Sequence, residues 1–175
     1  NGSVFNTVSE HHEAAVYDVQ TGTWTPLGGI GGSSGNSVSS GWGISGDGST
    51  VVGLAWEDAG TAYATTWSIF GNPTSLGSSV KGSSTRANGT NEDGSVVVGW
   101  QDTAYRQGAV WTNGKQQLIY RPDGNEAFEA SAVSSDGQWV TGLGIGSFFA
   151  RRMMILARST RVRAALSDGL LPNTI

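Results

Sequence analysis

The sequence predicts an all-β chain built from a repeated four-stranded unit, and three observations carry that expectation. The composition is rich in small, turn-forming residues and poor in charge, with 27 Gly, 22 Ser and 16 Thr against 24 charged residues in 175, which argues against a helical bundle or a coiled coil. One pattern occurs three times: Gly43-Ile44-Ser45-Gly46-Asp47-Gly48-Ser49-Thr50-Val51-Val52-Gly53, then Gly89 to Gly99 around Asp93-Gly94, then Ala132 to Gly142 around Asp136-Gly137, with the Asp-Gly pairs 46 and 43 residues apart. Ahead of each stands a short apolar run ending in an aromatic, Ala14-Ala15-Val16-Tyr17, Ala64-Thr65-Thr66-Trp67 and Gly108-Ala109-Val110-Trp111. A Leu-Gly pair recurs at Leu27-Gly28 and Leu76-Gly77, with a weaker echo at Leu118-Ile119. Ordered landmarks recurring together mark a structural repeat.

In the first unit the strands are expected at Ala14–Val19, Thr23–Leu27, Gly41–Ser45 and Thr50–Ala55. Gln20-Thr21-Gly22, the Gly-rich stretch 28–36 and Gly46-Asp47-Gly48 supply the turn chemistry between them. Asp-Gly between two apolar or β-branched runs is a hairpin signal, because Gly tolerates the positive φ of a tight turn. Units at about 13–56, 63–101 and 107–143 follow. A four-stranded unit of about 40 to 50 residues is the size of a β-propeller blade, and one blade cannot bury both its faces alone. Three units and a fourth opening at Phe148-Phe149-Ala150-Arg151-Arg152-Met153 make a four-bladed ring, an arc of a larger propeller, or an arc closed by self-association. The arc, completed by missing blades or a second copy, is the favoured reading, since an open arc exposes strand edges and apolar faces.

Residues 1–150 form the repeat domain and carry a net charge of −8, whereas 151–175 hold five Arg against Asp168, a net of +4. The acidic body gives nucleic acid no basic face. Ala150 to Ser167 contains neither Gly nor Pro and ends at Asp168-Gly169, which predicts a C-terminal helix, with an incomplete fourth blade or a segment foreign to the repeat as alternatives. No apolar run approaches the roughly 18 to 20 residues of a membrane span. The absence of Cys removes disulfides, thiolate catalysis and zinc-finger chemistry. The start, Asn-Gly-Ser-Val, carries neither an initiator Met nor a signal peptide, which predicts a processed chain or an excised piece.

The order apolar-apolar-aromatic, Leu-Gly, then small-Ile-Ser-x-Asp-Gly-x-x-Val-Val-Gly resembles the extracellular HAF-repeat family of bacterial secreted proteins over residues 13–150. The name-giving His-Ala-Phe is not kept, the corresponding positions beginning with Glu13, Tyr63 and Gln107. The resemblance implies a secreted, β-propeller-like module within a larger surface or exported protein, and no catalytic residues. An extracellular or cell-surface location is expected from it and from the Ser/Thr/Gly-rich composition.

Few residues suggest chemistry. Glu10-His11-His12-Glu13 is the sole His cluster, but neighbours on a strand face opposite ways, so the two imidazoles do not share a metal. Gly31-Gly32-Ser33-Ser34-Gly35 matches a nucleophile elbow in form, yet no helix-forming segment follows it. Gly142-Leu143-Gly144-Ile145-Gly146 lacks the third Gly of a dinucleotide fingerprint, and no cofactor is expected. The repeated Asp47, Asp93 and Asp136 are read as turn caps, since calcium needs six to eight oxygens and a hairpin Asp supplies one or two. Glu92-Asp93 and Glu126 with Glu129 are the acid pairs a glycosidase would need; solvated surface acids are the plainer account, and no enzyme is expected. Trp67 and Trp111 share one repeat position and are expected between blades. Trp42, Trp56, Trp100 and Trp139 do not share a register, and either wedge blades apart or offer ring faces to sugar. The expected function is therefore a binding or adhesion module for glycan or a surface polymer through those four Trp, with a purely structural scaffold as the alternative.

Overall fold

The structure, a computed structural model, describes residues 2–120, 127–146, 149–158 and 161–165, with side chains over 2–120 and 128–143. Fifteen strands and no helix occur among these residues. Sheet I contains β1 (Ser3–Asn6), β2 (His11–Asp18) and β3 (Thr23–Pro26); sheet II contains β4 (Ser39–Ile44), β5 (Thr50–Trp56), β6 (Ala62–Ser68) and β7 (Gly71–Gly77). Sheet III contains β8 (Thr85–Thr90), β9 (Val96–Asp102), β10 (Arg106–Thr112) and β11 (Lys115–Leu118); sheet IV contains β12 (Ala127–Val133), β13 (Trp139–Gly146), β14 (Phe149–Arg158) and β15 (Arg161–Ala165). Each sheet is an antiparallel meander in chain order, and the first strands β4, β8 and β12 contact one another in sequence.

Two expectations need correction. The strands foreseen in the first unit match β2, β3, β4 and β5 within a few residues, but hydrogen bonding divides them between sheets I and II. The Asp-Gly hairpin joins the first two strands of a sheet, and the aromatic-ended run is its third strand. The expected C-terminal helix is absent: residues 149–158 and 161–165 are β14 and β15, and β14 pairs with β13 from Trp139↔Leu156 to Gly146↔Phe149. Lack of Gly and Pro permits a strand as readily as a helix. The apolar run Met153 to Ala157 is unbroken rather than helically spaced, and the edge of β13 offers it a full set of backbone partners.

The core lies between sheets rather than inside one. Consecutive residues of a second strand point to opposite faces, so Val51 packs toward sheet I with Ala14, Leu27, Ala55 and Trp67, while Val52 packs toward sheet III with Ala87, Val97 and Trp111. Val98, next to Val97, packs with Val110, Ile119, Ala130 and Val140 between sheets III and IV. This explains why Val-Val precedes both Gly53 and Gly99. Trp67 and Trp111, both 1% exposed, fill these interfaces as expected.

Polar rivets join the same layers. The Ser39 hydroxyl on β4 accepts from Ala14 N at 2.9 Å and donates to Gly28 O at 2.5 Å; Thr85 on β8 does the same for Ala64 N and Gly77 O, both at 2.8 Å. Both hydroxyl residues are fully buried. The recurring Leu-Gly thus serves twice, its Leu side chain in the interface and its Gly carbonyl on the next sheet's first strand.

Candidate functional site

The first strands and their neighbours bring together residues far apart in sequence. Arg86 on β8 lies opposite Trp100 on β9, and Arg106 on β10 lies opposite Asp102. Their side chains interleave into a stack running across three sheets. The Arg86 guanidinium carbon sits 4.0 Å from the centre of the Trp42 ring and 5.0 Å from that of Trp100; Arg106 sits 4.0 Å from Trp100 and 5.7 Å from Phe128. Among aromatic side chains the indole offers a cation the best face, and Arg is the cation most often found there.

Carboxylates hold the cations in place. Glu129 on β12 takes Arg86 at 3.4 Å through Oε1 and Arg106 at 3.8 Å through Oε2, and Asp102 lies 3.8 Å from Arg106. Asn88 donates from Nδ2 to Glu129 Oε1 and to the Ala130 carbonyl, each at 2.8 Å, and accepts from Arg86 Nε at 2.9 Å. Burial pulls the Arg86 guanidinium below its ordinary pKa, and Glu129 opposes that shift; it remains charged at any physiological pH. Two guanidinium groups against two carboxylates leave the site neutral. Trp42 is 41% exposed, so part of its ring is open to solvent, whereas Trp100 is 7% exposed and its buried Nε1 has no hydrogen-bond partner.

Of the four tryptophans singled out from sequence, Trp42 and Trp100 therefore meet in one stack. Trp56 ends β5, half-buried, and Trp139 opens β13, 41% exposed; neither stacks on this array. Arg86, Arg106, Asn88 and Phe128 were not foreseen. A signal existed: with spacings of 46 and 43, Ser40, Arg86 and Glu129 hold equivalent positions on β4, β8 and β12. A basic and an acidic residue at one position of adjacent first strands foretell an ion pair between sheets.

The other candidates resolve into structural roles. Asp47 Oδ1 accepts from Ser45 Oγ, Ser49 N and Ser49 Oγ; Asp93 accepts from Ser95 N and Oγ; Asp136 accepts from Ser134 Oγ and Gln138 N. Each carboxylate caps its own hairpin, with Gly48, Gly94 and Gly137 at φ of 74°, 76° and 71° beside it. His11 and His12 face opposite ways, His11 bonding the Ser9 carbonyl and His12 meeting the Phe5 ring edge-on at 5.4 Å. Ser33, His11 and Glu13 do line one cavity of about 320 Å³. Glu13 is 5% exposed and its carboxylate is taken by Asn6, Ser9 and the Gly28 amide rather than by His11, so no proton relay to Ser33 is assembled. Glu129 is occupied by two arginines, and its proposed partner Glu126 lies outside the described residues.

No family model and no curated protein sequence matches the chain. Solved structures do share the fold. TolB from Acinetobacter baumannii superimposes with a TM-score of 0.60 at 14% identity, over 93% of this chain and 39% of that one. A candidate TolB from Agrobacterium tumefaciens gives 0.54 at 13% identity, over 87% of this chain and 60% of that one. These likenesses establish a propeller-like array of antiparallel sheets. The chain spans less than two thirds of the length of either protein.

Proposed function

We propose that this protein is a secreted or cell-surface binding module that recognises a neutral glycan at the Trp42–Arg86–Trp100 stack. The observation that carries the reading is Trp42, whose indole is braced by Arg86 and still 41% exposed. A braced, partly open indole suits the apolar face of a pyranose. Because the two arginines are matched by Glu129 and Asp102, the site favours an uncharged sugar over an acidic one. The resemblance to HAF-repeat proteins supports the extracellular setting.

The test is a glycan array followed by titration of the hits through tryptophan fluorescence. Trp42→Ala is expected to weaken binding of a neutral oligosaccharide about five- to thirtyfold, the loss of one stacking face being worth roughly 1–2 kcal/mol, while leaving the melting temperature nearly unchanged. One observation favours a scaffold instead: both guanidinium groups are engaged across sheets III and IV by Glu129. On that reading no glycan binds, and disrupting the stack lowers stability alone.

A further inference from the structure

His11 and Glu13 stand two residues apart on β2 and so face the same side of sheet I. They line one wall of the cavity of about 320 Å³, a volume within the range of small-molecule sites. The other wall is Gly29, Gly31, Gly32 and Ser33, in the passage to sheet II. That passage is pinned despite its glycines. Gly32 N donates to Trp56 O at 2.9 Å, Val38 N to His12 O at 3.0 Å, and His12 N to Asn36 O at 2.6 Å. A Cβ at Gly32 would come within 2.1 Å of Glu57 O, so the loop backbone lies directly against the end of β5. The cavity is preformed.

Its chemistry is one-sided. Glu13 is 5% exposed, and every donor it meets is neutral: Asn6 Nδ2 at 3.1 Å and the Ser9 hydroxyl on Oε1, and Gly28 N at 3.1 Å on Oε2. Among the described residues no salt bridge reaches it. A carboxylate has about four lone-pair sites, so one on Oε2 is left over. His11 Nδ1 lies 2.6 Å from Ser9 O. A carbonyl only accepts, so Nδ1 carries the hydrogen and Nε2 of the neutral ring is an acceptor. Ser33 adds a hydroxyl oxygen. The surrounding charge agrees: residues 1–80 contain six acids, Glu10, Glu13, Asp18, Asp47, Glu57 and Asp58, and no Lys or Arg, a net of −6. Such a field draws cations, and a buried carboxylate without a cation is costly. A metal ion is the poorer match. Among the described residues no group of three or more His, Cys, Asp or Glu is placed to hold one. A primary ammonium, by contrast, presents three donors from one nitrogen.

We propose that this cavity binds the primary ammonium group of a small organic amine, with Glu13 as its counter-ion and His11 Nε2 and Ser33 Oγ as its further acceptors. The site shares no residue with the Trp42–Arg86–Trp100 stack and does not depend on glycan binding there.

The probes are ethylammonium and benzylammonium chloride, added to the full chain at constant ionic strength and followed through its backbone amides by NMR. Saturable shifts are expected at Gly28, Gly29, Gly32 and Ser33. Tetramethylammonium, which carries the charge without an N–H, should leave those amides nearly unmoved. Glu13→Gln should weaken amine binding at least about tenfold, the weight of one hydrogen bond to a charged group. That substitution also disturbs the bonds from Asn6, Ser9 and Gly28, so a H11F/S33A variant stands beside it. H11F/S33A leaves those three bonds in place and should nearly keep the parent's melting temperature. It should bind the amines at least about fivefold more weakly, two neutral hydrogen bonds being lost. Absence of saturable shifts with both amines, equal shifts with tetramethylammonium, or binding unchanged in either folded variant overturns the proposal. Shifts at the same amides with calcium or zinc chloride, and none with the amines, would make this a metal site and overturn it likewise.

Discussion

Gly99 illustrates how narrowly single positions are constrained, because Arg86 O comes within 1.9 Å of where a Cβ would be. The obstacle is backbone, so no side-chain rotation relieves it. Gly99→Ala is expected to cost about 1–3 kcal/mol or more, the range for forcing extra volume into a packed layer, and chemical denaturation of this variant beside the parent measures it. The turn carboxylates make a second prediction. The Ser45, Ser95 and Ser134 hydroxyls, followed by turn amides, hold Asp47, Asp93 and Asp136 below their ordinary value of 3.8. A carboxylate with a depressed folded pKa stabilises the fold above its unfolded value, and that contribution disappears as pH falls through the folded value. The melting temperature should therefore decline below about pH 4, and decline less steeply in a D47A/D93A/D136A variant that is already less stable at pH 7. These caps, and the buried Trp67 and Trp111, were legible because each repeats at one position. The arginine stack was not: Trp42, Arg86, Trp100 and Arg106 hold four different repeat positions, and only folding of three sheets against one another aligns them.

At the scale of strands, nearly every element was legible and its partners were not. Turn chemistry and apolar alternation locate a strand, but both strands flanking a loop look the same whether or not they share hydrogen bonds. Loop length held the missing information. Connections within a sheet are short, as at 45–49 and 113–114, whereas the passages from sheet I to II and from II to III run through 27–38 and 78–84. Those passages deliver Ser39 and Thr85 to the carbonyls of Gly28 and Gly77, so a buried hydroxyl adds a polar tie to each apolar interface. Thr85→Val keeps the shape and removes the bridge, leaving Ala64 N and Gly77 O buried without it. A loss of about 1–3 kcal/mol is expected, and Thr85→Ser, which restores the oxygen, should recover most of it. The C-terminal segment gives the opposite lesson. A Gly- and Pro-free run leaves helix and strand equally open, and β13's unpaired edge decides between them. Far-UV circular dichroism should accordingly lack the 222 nm signature of a helix.

Across the whole molecule the three apolar clusters lie one per interface, and each sheet touches its neighbours in sequence. Such an array behaves nearly as a one-dimensional stack, its stability the sum of sheet and interface terms. Sheet III is covered on both faces by Trp111 and Val97 on one side and Val98 and Val110 on the other. Among the described residues sheet I contributes to one apolar cluster. Tyr17, the counterpart of Trp67 and Trp111, is 48% exposed, its ring centre 5.0 Å from that of Trp24. Opening sheet I therefore breaks one interface, whereas opening sheet III breaks two. Amide hydrogen exchange should reflect this, with the greatest protection in β9 and β10 and the least in β1 and β3. Trp111→Ala removes the largest side chain of the II–III interface, at an expected cost of about 3–5 kcal/mol. If the stack is one-dimensional, that substitution should accelerate exchange on both sides of the broken interface while the III–IV interface around Val98, Ile119 and Val140 keeps more of its protection. Uniform loss across all four sheets would instead mean that they unfold as one cooperative ring, and the interfaces could no longer be treated as separate terms.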